Sequence, residues 1–251
     1  MNSPEQKRLN ELALRAAYRG EPAFTRFLEP AMGDAVRAAA NAAGVRAAFW
    51  GGYDDAERVV AAFHDGDAPE HEAYPIAALR VDWNDRFAHP GHRDLLGAAM
   101  GLGVERETLG DIALGERGGA PCAWLFCLYE VAGYVCATFE SAGRAAVKVT
   151  PETGTPGILP PEGTPLRVTV QQPRLDAVVA AACRLSRSEA QRLIGAGLVK
   201  LNHVPNLHTD ARLEPGDLLS VRGHGRVRVD AFQGESRRGR QVVSLFLYGG
   251  K

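Results

Sequence analysis

The chain of 251 residues is 45% hydrophobic and 24% charged with a net charge of −1, a balance that excludes wholesale disorder and fits two or three modest domains. No apolar run approaches the roughly 18 residues that a bilayer-spanning helix requires, so no membrane partner is expected. The start, Met1 to Arg8, lacks the apolar core of a secretory signal, which makes the cytoplasm the expected location.

Residues 4–19 and 31–43 carry Ala, Leu, Arg and Glu at helical spacing and predict two helices. Val45 to Trp50 reads as a short buried strand, broken by Gly51-Gly52-Tyr53, and helix is expected to resume over Asp54 to Ala62. A polar stretch from Phe63 to Glu72 sets off a first α/β domain, 1–70. Beyond it, Ile76 to Trp83 predicts a strand and His92 to Leu102 a helix. Asp111 to Leu114 and Cys122 to Leu128 predict two strands around a Gly-rich turn. Tyr129 to Ser141 then reads as helix and Ala145 to Val149 as a last strand. The order βαββαβ over 71–150 is that of ferredoxin-like and RRM-like folds. The aromatic run on which an RRM stacks bases is absent, so no stacking on this sheet is expected. Cys122, Cys127, Cys136 and Cys183 form no Cys-x-x-Cys pair, and free thiols are expected in place of disulfides or zinc.

From Thr150 to Pro165 five prolines and three glycines exclude a helix or a central strand, and a linker with a connecting strand is placed at 151–171. The last domain, 172–251, opens with Leu175, Val178, Val179 and Ala182 on one helical stripe. Ser186 and Glu189 then have the spacing of a capping box, which marks the start of a second helix with Ala190, Leu193 and Ile194 on its apolar side. Gly197 suits a left-handed helix end, Leu198 to Asn202 a strand, and Pro215-Gly216-Asp217 a tight turn. Further strands are expected at Leu218 to Val221, Arg226 to Phe232 and Gln241 to Tyr248. Charge is divided unevenly. Residues 174–251 hold 13 Lys and Arg against 7 Asp and Glu, and the rest of the chain 16 against 23. A cationic module on an acidic body is the arrangement expected of a protein that must approach a polyanion and stay dissolved.

Ser186, Arg187 and Ser188 stand at a helix N-terminus, where free amides and the positive dipole end favour phosphate. Arg192 lies one turn further on, and alternation puts Lys200 and Asn202 on one face of the next strand, so these residues are expected to form one basic surface. About four phosphate contacts to single-stranded RNA would give a salt slope near −3. Arg237, Arg238 and Arg240 form a second basic cluster in the last hairpin turn, a position more often a solvated loop than a contact but placed to extend the footprint.

This segment resembles the S4 RNA-binding domain in Arg174-Leu175-Asp176, Ser186-Arg187-Ser188-Glu189-Ala190, Leu193-Ile194, Gly197 to Asn202, and Pro215-Gly216-Asp217 before an apolar strand. Gly51-Gly52-Tyr53, Ala56-Glu57-Arg58, His92 to Gly97, Met100 to Gly103 and Gly110-Asp111-Ile112 extend the likeness to YlmH-type bacterial S4 proteins over nearly the whole chain. One departure is Asn202-His203, where the pattern has Asn-Gly. The resemblance implies an α+β protein in three parts, the last an S4 (alpha-L) domain. It also implies ribosome-associated binding of rRNA or tRNA, with the large subunit as partner, in the handling of stalled subunits or in cell division. The expected RNA-binding residues are Arg174, Ser186, Arg187, Ser188, Arg192, Lys200, Asn202, His203, Arg237 and Arg238.

Enzymatic readings find less support. His92-Arg93-Asp94 imitates a kinase catalytic loop, but position 99 is Ala where a metal-binding Asn is needed. His92 and Asp94 are instead expected to cap a helix, with His92 and Arg93 as a possible second RNA surface. Gly101-Leu102-Gly103 has no following Lys-Ser/Thr, and His203 and His208 lack further ligands, so neither a phosphate loop nor a metal site is expected. Arg174-Leu175-Asp176 resembles the catalytic triplet of pseudouridine synthases, yet too few residues follow it for a catalytic domain. The expectation is a monomeric, non-catalytic RNA-binding protein without cofactor. An RNA-modifying enzyme of the pseudouridine synthase type, or a protein adaptor, is the alternative.

Overall fold

A computed structural model describes residues 4–54, 56–154, 156–159, 163–236 and 239–249. The chain divides into two compact units after Leu159. In the first, α1 (Pro4–Arg19), β1 (Ala23–Phe27), α2 (Gly33–Ala43), β2 (Arg46–Trp50) and β3 (Val60–His64) come first. The βαββαβ series follows as β4 (Ile76–Trp83), α3 (His92–Met100), β5 (Leu109–Arg117), β6 (Ala120–Leu128), α4 (Tyr129–Thr138) and β8 (Ala145–Pro151), with a two-residue β7 (Ser141–Ala142) before the last strand. The early strands form an antiparallel sheet in the order β1-β3-β2, and the later ones a second in the order β5-β6-β4-β8-β7.

Burial explains how these sheets stack. Ala61 and Phe63 of β3 pack under Leu9, Ala13 and Ala16 of α1 and under Val36 and Ala39 of α2. On the second sheet, Leu79, Val81, Ala123 and Leu125 face Leu95 and Ala99 of α3 and Val135 of α4. The remaining faces meet each other, with Phe27, Val60 and Ala62 against Trp124, Phe126 and Leu128. The unit therefore has four layers, helix, sheet, sheet and helix. The sheet face on which an RRM would stack bases is covered by β1 and β3, so the plait keeps its topology and loses that binding surface.

Two early elements depart from expectation. Helix was expected over Asp54 to Ala62, but the segment turns and then enters β3, all five of whose residues are buried. A strand covered on both faces reads as a continuous apolar run, and periodicity alone cannot separate it from a buried helix. The strand β1, with burial alternating along Ala23–Phe27, was not anticipated.

Three of the family-like segments of this unit, 51–53, 56–58 and 110–112, lie along the seam between its sheets, while His92 to Gly103 belong to α3 and its end. Gly52 has φ +102°, and a Cβ there would come within 2.2 Å of the Phe126 ring. The Tyr53 ring stacks on Phe126 at 5.1 Å, and its hydroxyl donates to Asp111 at 3.2 Å. Asp111 also accepts the amides of Glu57 at 2.6 Å and Arg58 at 3.3 Å. Burial pushes the Asp111 carboxyl above the usual carboxylate range, and those hydrogen bonds oppose the push. Arg58 is itself buried and donates to the carbonyls of Leu109, Arg106 and Phe27, with Glu29 as its ion-pair partner at 2.6 Å. These residues join two sheets.

The second unit contains β9 (Gly163–Val170), α5 (Leu175–Cys183), α6 (Arg187–Gly195), β10 (Val199–Leu201), β11 (Val204–Pro205), β12 (Leu218–Val221), β13 (Gly225–Glu235) and β14 (Gln241–Tyr248). Its sheet runs β11-β10-β12-β13-β14-β9, all antiparallel. Leu175, Val178 and Val179 of α5, with Ala190 and Ile194 of α6, pack on Val199, Leu219, Val227, Val243 and Val168 of the strands. Described residues of the expected linker are paired within their own units. Glu152 donates to the Ala78 carbonyl, Gly157 accepts from Glu116, and Leu159 donates to Leu114, while β9 pairs with β14 along its full length. Pro165 is tolerated because β9 is an edge strand.

Candidate nucleic-acid interface

The helix side of the second unit is organised around one carboxylate. Asp176, in the first turn of α5, is fully buried. It accepts Arg187 Nε at 3.0 Å and Nη2 at 3.3 Å, and Gln191 Nε2 at 2.9 Å, while Arg174 Nε lies 3.4 Å away. Burial alone would raise the Asp176 carboxyl, but the bonds from Arg187 and Gln191 outweigh it and hold the group below the usual carboxylate range. Asp176 is thus an internal anchor for two guanidinium groups as well as a favourable charge at a helix start. The Arg187 side chain remains 53% exposed, so one edge of its guanidinium is fixed and the other meets solvent.

The start of α6 is capped as the sequence predicts. The Ser186 hydroxyl accepts the Glu189 amide at 3.2 Å, and the Glu189 carboxylate takes the Ser186 amide at 2.8 Å and its hydroxyl at 2.7 Å. Those bonds from Ser186, with Arg192 and His224 nearby, hold Glu189 below its ordinary range. The Ser188 hydroxyl is 3.1 Å from that of Ser186. Since these groups satisfy one another, the cations of this face, more than its helix terminus, are what it offers a phosphate. Arg192 is exposed on α6. Arg212, which no motif marks, is also exposed and is brought beside Arg174 by a β-bridge. That bridge is supported by the Leu175 amide on the Ala211 carbonyl at 2.8 Å. The folding back of residues 209–213 onto the start of α5 makes Arg212 part of the cluster.

The single basic surface expected from the sequence is corrected to two. Val199 points into the core beneath the helices, so Lys200, its neighbour on β10, points to the opposite face of the sheet. Asn202 does not share that face. It has φ +48°, His203 has φ +71°, and together they make the left-handed turn between β10 and β11. The Asn202 side chain donates to Asp217 at 2.8 Å and accepts the Leu218 amide at 2.9 Å, so it ties this turn to the one before β12. The replacement of the usual Gly by His203 leaves the turn geometry intact. Arg237 and Arg238 lie outside the described residues.

In the first unit, Asp94 reaches back to the Gly91 amide at 2.9 Å and caps α3, while His92 and Arg93 are exposed in its first turn. Arg93 borders a shallow depression of about 580 Å³ whose rim also carries Asp94 and Glu140. His92 takes no part in the cap, contrary to expectation. Among the described residues no group of three His, Cys, Asp or Glu is placed to hold a metal ion, and no helix is long and apolar enough to cross a membrane.

Residues 1–65 match the N-terminal family model of YlmH, 69–155 the putative RNA-binding domain in YlmH, and 173–219 the S4 domain. The chain is 35% identical over 224 residues to the ribosome-associated protein quality control protein P2 of Bacillus subtilis (strain 168), covering 88% of this chain and 86% of that protein. A solved structure of the cell division protein ylmH from Streptococcus pneumoniae is similar at a TM-score of 0.46 and 19% identity, over 61% of this chain and 93% of that one.

Proposed function

Because the chain belongs to the YlmH family of S4-domain proteins, we propose that it binds ribosomal or transfer RNA on the large ribosomal subunit and acts by binding, without chemistry of its own. The helix side of the second unit makes the contact. The observation that carries this reading is the pair of guanidinium groups, Arg174 and Arg187, held on the buried Asp176 with Arg212 alongside. A fixed, half-exposed Arg loses little freedom on meeting a phosphate, and its planar fork suits bidentate contact. The B. subtilis relative is named for ribosome-associated quality control, which favours a role in handling stalled translation. His92 and Arg93 offer a second, smaller contact from the first unit.

Arg187 is a poor probe of this surface, since its removal leaves a buried carboxylate short of a partner. Arg192→Glu with Arg212→Glu changes two exposed cations and spares that anchor. The double variant is expected to lose co-sedimentation with large ribosomal subunits while its melting temperature stays close to that of the parent chain. Undiminished co-sedimentation would overturn the proposal. In cells, crosslinking followed by sequencing should recover rRNA or tRNA. Recovery of one specific modified uridine would point to an RNA-modifying enzyme instead, and recovery of no RNA to a protein adaptor.

A further inference from the structure

We propose that the open face of the second unit's sheet, turned away from α5 and α6, is a separate surface for unpaired RNA nucleotides. Bases stack on Phe246 and Tyr248 there, and Lys200, Arg226 and Arg167 meet the phosphates. The proposal rests on the RNA-binding reading above and assigns it a second contact of different chemistry.

Strand register builds this face. Val227 and Val229 of β13, with Val243 and Leu245 of β14, point into the core, so the residues between them point outward. Pairing then sets them in rows. Lys200 is opposite Ser220, Ser220 opposite Arg226, and Arg226 opposite Tyr248. In the next row Arg228 is opposite Phe246, and beyond it Ser244 is opposite Arg167. Cations and rings thus alternate at cross-strand spacing, about 5 Å between neighbours.

The rings are already held in place. The guanidinium carbon of Arg226 is 5.3 Å from the Tyr248 ring centroid, and that of Arg228 is 5.4 Å from Phe246. The two rings meet edge to face at 5.2 Å. A Cβ at Gly163 would come within 2.5 Å of the Phe246 ring, so the absence of a side chain there lets the ring lie over the β9 backbone. Arg228 donates to Asp230 at 2.8 Å and to the Tyr248 hydroxyl at 3.2 Å, which further restrains Tyr248. Among the described residues the rows carry Lys200, Arg226, Arg228 and Arg167, with Asp230 bonded to Arg228.

Interleaved cations and partly exposed rings fit a strand whose phosphates and base planes are both available. A duplex hides its base planes, and an acidic protein would use the charges and leave the rings idle. The match to the S4 domain ends at residue 219, so β13, β14 and β9 supply this face from beyond the matched segment.

The test uses the full chain and fluorescence anisotropy with a labelled oligoadenylate, alone or annealed to its complement, beside co-sedimentation with large ribosomal subunits. Phe246→Leu with Tyr248→Leu keeps apolar side chains and removes the stacking planes. It should weaken binding of the single strand roughly tenfold and leave the duplex unaffected. Arg226→Gln, which leaves both rings in place and keeps the proposal testable should the double variant misfold, should reduce the salt slope by about 0.7. Unchanged affinity for the single strand in a folded ring variant, together with an unchanged slope in Arg226→Gln, would overturn the inference. If Arg192→Glu with Arg212→Glu then still abolishes co-sedimentation, the helix-side reading survives that failure. Loss of co-sedimentation in the ring variant with no change in oligonucleotide affinity would indicate a protein partner on this face, and would also overturn it.

Discussion

Arg187 lays its guanidinium against the buried carboxylate of Asp176, Nε at 3.0 Å and Nη2 at 3.3 Å, so an acid at the start of α5 fixes a cation at the start of α6. The two short helices are joined by this fork as well as by the apolar contacts of their stripes.

Arg187→Ala should therefore cost stability as well as RNA affinity. Asp176 would keep Gln191 and the more distant Arg174, and because Arg187 is half exposed the loss should be roughly 2 kcal/mol, below the value for a fully buried pair. Arg187→Lys retains the charge and loses the fork, and should fall between the two. Amide hydrogen exchange in α5 and α6 reads this directly. Equal protection in all three chains would show that the ion pair contributes nothing.

The same carboxylate predicts a pH dependence. Its folded-state pKa is depressed, so its stabilising contribution is complete above the unfolded value near 4 and is lost as pH falls through the folded value. The stability gap between the parent chain and Asp176→Asn should be widest at neutral pH and close progressively below about pH 4. A gap independent of pH would contradict this account.

Gly52→Ala should destabilise the first unit by about 3 kcal/mol, from a strained positive φ and a clash with Phe126 combined. Trp50, Trp83 and Trp124 all belong to this unit, so tryptophan fluorescence during thermal unfolding reports on it. A melting curve that coincides with the parent's would refute the close approach of Gly52 to the ring.

Burial pushes the Cys122 thiol up to about 11 and the Cys127 thiol up to about 12, and both side chains are enclosed, Cys122 in the seam between the sheets and Cys127 between the second sheet and its helices. Neither should react with Ellman's reagent in the native protein at pH 8, and both should do so in guanidinium. Rapid labelling of Cys122 in the folded chain would mean that the seam between the sheets opens, and rapid labelling of Cys127 that the helices lift from their sheet.

Arg192→Gln should lower the salt dependence of RNA binding by about 0.7 to 0.9 in slope, the contribution of a single phosphate contact. An unaltered slope would remove Arg192 from the interface.

Local features of the chain were legible wherever the chemistry was local. The capping box of Ser186 and Glu189, the stripe of Leu175, Val178, Val179 and Ala182, and the order βαββαβ all depend on near neighbours, and the structure has each of them. The strand β3 was not legible, because being covered on both faces by two other layers erased its alternation. Sequence could place a cation on a helix or strand but could not say which side of the sheet the helices would cover. That choice separates Lys200 from Arg187 and Arg192, brings Arg212 beside Arg174, and gathers Arg226, Phe246 and Tyr248 on one face. Residue type and short-range spacing determine what each element is and the charge it carries. Which charges act together depends on packing between distant segments, whose burial free energy is decided only when the layers meet.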